Sequence, residues 1–120
     1  TVGHDSHNLI VAGDNDEDMA KAVEHLIAVG GGMTVVQDGK VLATLEMPVA
    51  GLISYEKGEV IAQKLQLLHD NATEHLNVKP GLDAFTTLSF MALVVIPFYK
   101  LTDMGLFDVG SFSFVDLELD

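Results

Sequence analysis

At 120 residues the chain is long enough for one domain with a real core, and its 48 % hydrophobic content argues against disorder. Against 18 acids stand six lysines and no arginine, a formal net charge of -12, which disfavours nucleic-acid phosphates and anionic membrane surfaces as partners. The lack of cysteine removes disulfides and thiolate zinc sites and fits a cytoplasmic protein, while the longest apolar run, residues 90–98, falls short of the ~20 residues a membrane helix needs. Thr1 is not an initiator methionine and no charged-then-apolar leader follows it, so the expectation is a piece of a longer protein.

The first stretch is TVGHDSHN, with His4, Asp5, Ser6, His7 and Asn8 in succession. Such density is too polar for a core strand. In an extended segment His4, Ser6 and Asn8 point one way and Asp5 and His7 the other; the two histidines share a side only in a helical turn. A zinc site takes three or four protein ligands, more than a histidine pair supplies. Neighbours in sequence rarely adopt the geometry of a Ser-His-Asp triad. Three readings stay open on these residues alone: a structural turn or polar strand edge, part of a site shared with another domain, or a self-contained site.

LIVAG, residues 9–13, predicts a short buried strand ending at a glycine. DNDED then opens a helix, with Asp14, Asn15 and Asp16 placed to accept from its first amides and the acids at the positive end of its dipole. Met19, Ala22, Val23, Leu26 and Ile27 form its apolar stripe, and Gly30 to Gly32 stop it. Asp14, Asp16 and Asp18 mimic a calcium loop, but Met19 and His25 stand where a glycine and a glutamate are needed, so a capped helix start accounts for them. The glycine triplet runs from helix into strand, the reverse of a phosphate-binding loop.

Residues 33–46 predict a hairpin turning at Asp38-Gly39, and Pro48 ends its second strand. Ser54 is the expected cap of a long helix over residues 55–76, with Ile61, Leu65, Leu68 and Ala72 as its core stripe and Val60, Leu67 and Leu76 as flanks. Residues 77–83 read as a loop on Pro80-Gly81. Residues 88–97 read as a buried strand, with a short helix over 85–91 as the alternative; KLTDMGLFDVG reads as loop, and residues 112–119 as a last, half-exposed strand. His25, His69 and His75 sit singly on helices and read as surface or boundary residues. The sum is a mixed α/β (α+β) domain over residues 1–120, with about five strands and two or three helices.

TVGHDSHNLIVAG, NDEDMAKAV, the glycine triplet before a hairpin containing DGKVLA, PVAGLIS, TLSFMAL, VIP and KLTDMGLFD follow one another across nearly all of the 120 residues, and in this order they resemble the C-terminal domain of bacterial adenine deaminases. The resemblance implies a hydrolase of the amidohydrolase type, converting adenine and water to hypoxanthine and ammonia in purine salvage. It implies a catalytic (β/α)8 barrel that holds manganese or iron. Neither the barrel nor its HxH-type motif is in this sequence, and 120 residues cannot hold a barrel of ~250. On the resemblance this chain therefore holds no self-contained catalytic, cofactor or metal residues and is inactive alone. His4, Asp5, Ser6, His7 and Asn8 become candidate accessory residues at the barrel's active site: histidine as proton relay or donor, aspartate as orienter or acceptor, asparagine as a purine reader. The alternative is a structural or oligomerisation module, with TLSFMALVVIP and VDLEL as contact surfaces, and a third reading is independent binding of a small regulator or metal. The implied partners are the catalytic barrel of the same chain, adenine as the whole enzyme's substrate, and a second copy in a homo-oligomer.

Overall fold

The computed structural model describes residues 1–118, and its first regular element is helix α1, Asp16–Val29. Asn15 caps it: its side-chain oxygen accepts from Asp18 N–H at 2.8 Å, with Asp16, Glu17 and Asp18 in the first turn. The end is equally local in cause. Gly30 is left-handed (φ 84°), and the Gly30 and Gly31 amides donate to Ile27 and Leu26 carbonyls at 3.3 and 2.8 Å.

Strands β1, Gly32–Gln37, and β2, Lys40–Glu46, form the expected antiparallel hairpin. Asp38 (φ 51°) and Gly39 (φ 71°) both adopt the left-handed region that a tight two-residue turn demands. The pairing shifts between Val35 and Val36, where a bulge re-aims the strand. Helix α2, Gly58–His75, lies on one face of this hairpin. Val35, Leu45, Leu68 and Ala72 are buried together there, with Met33, Ile61, Leu65 and Phe85 packed around them. Helix α1 covers the other face, where His25 Nε2 meets Thr44 Oγ1 at 2.9 Å and Thr34 Oγ1 lies 3.1 Å from Thr44 Oγ1. Two helices thus sandwich a two-stranded ribbon, which could not hold together alone in water.

Ser54 does not cap α2. Its hydroxyl accepts from Glu56 N–H at 3.3 Å, which closes a local turn and defers the helix to Gly58, with Lys57 in the cap position. The core stripe is as expected, but the flanking Leu67 and Leu76 are exposed.

The second half departs further from expectation. Residues 88–97 do not form a strand; the alternative reading holds for helix α3, Ala84–Ser89, and turns follow it. Asp83 caps α3 by accepting from Thr86 N–H at 2.9 Å. Phe90, Met91, Leu93 and Ile96 amides then each donate three residues back, so these four bond within turns and not in a ladder. Ala92 and Leu93 are buried in these turns. KLTDMGLFDVG is not loop but hairpin: β3, Tyr99–Thr102, pairs with β4, Gly105–Asp108. The turn between them is held by Thr102 Oγ1, which donates to Gly105 O at 2.9 Å and accepts from Met104 N–H at 3.1 Å. Strand β5, Ser113–Val115, adds to β4 and is shorter than the predicted 112–119; Leu119 lies outside the described residues. Phe107 is the centre of this sheet, with Phe112 and Phe114 edge-on at 5.2 Å.

Residues 9–13 are the other correction. They are irregular, and Leu9 is 40 % exposed. Neither described sheet takes them as a strand, since the orders are β1-β2 and β3-β4-β5. The mixed α+β class with five strands and three helices stands, although two of the five strands are not those expected.

Candidate functional site

The segment carrying the predicted site residues is held at its start by glycines. Gly31 and Gly51, both at positive φ, approach so closely that a Cβ on Gly31 would lie 2.6 Å from Gly51 Cα. Thr1 Oγ1 spans the junction, accepting from Gly32 N–H at 2.9 Å and donating to the Gly51 carbonyl. Beyond it the chain bends at His4 and Asp5. Gly3 is required by this bend, because a side chain there would collide with the Ser6 carbonyl.

The bend separates the two histidines. His4 stacks on Phe90, ring centroids 5.5 Å apart at 30°, and its Nδ1 lies 3.6 Å from Asp5 Oδ2. That distance is an ionic contact when His4 is protonated and too long for a hydrogen bond. His7 Nδ1 accepts from Gly3 N–H at 3.2 Å. A main-chain N–H only donates, so in the neutral ring the proton sits on Nε2, which donates to no group among the described residues. His7 also lines an open cavity of about 300 Å³ with Thr1, Leu9, Leu26, Ile27 and Ala50. Ser6 and Asn8 are half-buried, and their side chains bond to no protein group among the described residues.

The structure therefore gathers His4 with Asp5 and sets His7 apart on its own cavity. No serine-to-histidine hydrogen bond forms a triad among the described residues. No group of three or more histidine, aspartate or glutamate side chains converges to hold a metal among them. What the segment offers is a set of hydrogen-bonding groups: an Nε2–H donor, an exposed imidazole beside a carboxylate, and an amide that can donate and accept at once. These are the groups needed to recognise or protonate a polar ring brought to them, and they do not activate water unaided.

Several of the other acids and histidines have structural occupations. Asp18 sits in the calcium-loop mimic, but its carboxylate accepts from Gly39 and Asp38 N–H at 2.7 and 2.9 Å, tying α1 to the hairpin turn. The Gly39 bond is the main reason its carboxyl is held below the usual range. Asp83 is held low chiefly by the Thr86 hydroxyl and amide, and secondarily by His69, whose Nε2 is 3.8 Å away. That pair lies by a second open cavity of about 400 Å³ whose acids include Asp70 and Glu74. His25 is occupied by Thr44. Two contributors to the segment were not singled out in the sequence: Phe90, and the Thr1–Gly51 clamp. The glycine in PVAGLIS, set against the triplet at residues 30–32, is the one signal for the clamp.

Comparison with known proteins adds to this geometry. A family model described as the adenine deaminase C-terminal domain matches residues 1–113. Among similar curated proteins, "Adenine deaminase 2" of Carboxydothermus hydrogenoformans is 50 % identical over 119 residues, 99 % of this chain and 21 % of that protein. Adenine deaminase of Clostridium acetobutylicum is 47 % identical over 96 % of this chain and 20 % of its own length. Adenine deaminase of Bacillus subtilis is 46 % identical over 98 % of this chain and 20 % of its own length. The chain thus spans about a fifth of the length of the curated relatives it matches.

Proposed function

Because this chain belongs to the adenine deaminase C-terminal domain family, we propose that it is the single C-terminal domain, residues 1–120, of a longer adenine deaminase. That enzyme hydrolyses adenine to hypoxanthine and ammonia, a purine-salvage reaction, in a catalytic barrel on which this domain packs. The match over residues 1–113 carries the assignment. The cysteine-free sequence suits a reducing compartment, and we assign the enzyme to the cytoplasm. Among the described residues, no helix is long and apolar enough to cross a membrane.

The manganese or iron of such an enzyme does not fit the residues present here. His4 is turned onto Phe90, His7 onto the cavity beside Leu9, and no third ligand joins either among the described residues. The metal and the chemistry it supplies belong to the barrel.

This domain's contribution is the segment His4 to Asn8, placed over the barrel mouth. His7 donates through Nε2–H to an acceptor on the purine edge. His4, stacked on Phe90 with the Asp5 carboxylate beside it, moves or holds a proton at its imidazole, and Asn8 reads a donor–acceptor pair. Ser6 adds a hydroxyl at the rim. Burying these groups without partners would be costly, so the closed site must supply them. The test is the series His4→Ala, Asp5→Ala and His7→Ala in the full-length enzyme. Each is expected to lower kcat about 10- to 1000-fold, with an unchanged circular-dichroism spectrum. Wild-type turnover in all of them would remove the segment from the active site.

A further inference from the structure

Residues 9–12 carry the apolar, β-branched composition of a strand, and they are the first apolar stretch after the polar segment. Yet no main-chain N–H or C=O from residue 8 to residue 13 is hydrogen-bonded to protein among the described residues. Ile10 and Val11 are half-buried, a setting in which unpaired backbone is costly. The strands of the domain do not supply a partner: β1 pairs with β2, and β3, β4 and β5 pair among themselves. Beside this bare backbone lies apolar surface. Leu9 is 40 % and Ile27 70 % exposed, and both line the cavity that His7 shares.

We propose that residues 9–12 are a β-strand whose ladder partner lies in the longer chain, so that the domain docks by adding this strand to a sheet edge formed by residues that precede Thr1. This rests on the proposed C-terminal position in a longer enzyme. The relatives have about four-fifths of their length outside the matched region, since that region is 20–21 % of each, and the family is by description a C-terminal domain. There is therefore ample chain to supply the edge. Strand addition gives the docking main-chain hydrogen bonds, while Leu9 and Ile27 bury apolar area beside them. It also has a consequence for the site. A strand's register is fixed by its pairing, so a ladder beginning at Leu9 sets where Asn8, His7 and His4 stand over the barrel.

Amide hydrogen exchange and a crystal structure of the full-length enzyme test this together. The expected result is exchange at alternate amides of residues 9–12, either Leu9 and Val11 or Ile10 and Ala12, as slow as at Val35 and Leu45 in the hairpin, independent of protein concentration, with a ladder to a segment preceding Thr1. Proline at a protected position, Ile10→Pro or Val11→Pro according to which alternate set is slow, removes a donor and is expected to speed exchange at the other protected amide about tenfold or more, while Ile10→Val or Val11→Ile keeps the donor and the slow exchange. Exchange at every amide of residues 9–12 as fast as at exposed Tyr55, or a structure showing the same bare backbone, overturns the inference. So does protection that fades on dilution, which assigns the edge to a second copy, or a ladder to this domain's own strands. Adenine turnover in the same preparation separates the two readings: turnover with fast exchange removes only the strand, and slow exchange without turnover removes only the activity.

Discussion

Asp18 shows how one side chain can connect two elements. It lies in the first turn of α1, yet its carboxylate accepts from the amides at the tip of the β1-β2 hairpin, with Asn15 Nδ2 also 3.3 Å away. Its folded pKa is depressed, first by the Gly39 bond. The stability it contributes is therefore present above its unfolded value, about 3.9, and is lost as pH falls through the lower folded value. Asp18→Asn is expected to lower Tm at pH 7, and the gap to the unsubstituted protein should narrow as the pH drops below about 3.9. Thermal melts at neutral and acid pH check this; a gap of constant size would show that the charge plays no part. Sequence alone marked Asp18 as a helix-start acid and not as a turn clamp, because the turn lies a whole helix away. The same distance hid Phe90 from the reading of His4. The cluster itself was legible from local polarity, while its division by the bend at His4 and Asp5 was not.

Elements whose causes are local were legible. The stripe and glycines of α1, the Asp38-Gly39 turn and the stripe of α2 each follow from a few adjacent residues. The stretches at residues 9–13 and 88–97 failed for a shared reason. An apolar run becomes a strand only if a ladder partner exists, and that is decided by tertiary structure. After Ser89 the amides of Phe90, Met91, Leu93 and Ile96 bond within successive turns instead. The Asp83 cap was a readable signal for α3 that apolar length overrode, and Thr102 beside Gly105 was the readable signal for the β3-β4 turn. Packing of α2 on the hairpin then decides stability. Leu68 and Leu45 are fully buried against each other's elements. Leu68→Ala removes a side chain from the centre of that layer and is expected to cost about 2–5 kcal/mol. Leu67→Ala, on the exposed flank one position away, should stay within about 0.5 kcal/mol. Denaturant titration of the two variants measures the contrast, and equal losses would place the core elsewhere.

At the scale of the molecule, the domain is looser than its length requires. Its radius of gyration is 15.1 Å, with extents of 44 × 29 × 28 Å, where a compact chain of 120 residues has about 13.6 Å. The excess has a visible source. The sheet β3-β4-β5 stands off the α1-hairpin-α2 sandwich, and Val95, Phe98, Met104, Phe112 and Leu117 are each more than two-thirds exposed. An acidic protein with a net charge of -12 can keep such surface dissolved, but apolar side chains at this density belong against another surface. The polar segment at the start, where the side chains of Ser6 and Asn8 bond to no protein group among the described residues, has the same character. Both features suit the proposed place of this domain within a longer chain. The isolated chain is accordingly expected to show no adenine turnover, with or without added manganese, under conditions in which the full-length enzyme turns over. A circular-dichroism spectrum with both helical and strand signal would show that the isolated chain is folded in that assay. Manganese-dependent turnover by the folded chain alone would make His4, Asp5 and His7 the centre of a self-contained site, which their separation on Phe90 and on the Leu9 cavity opposes.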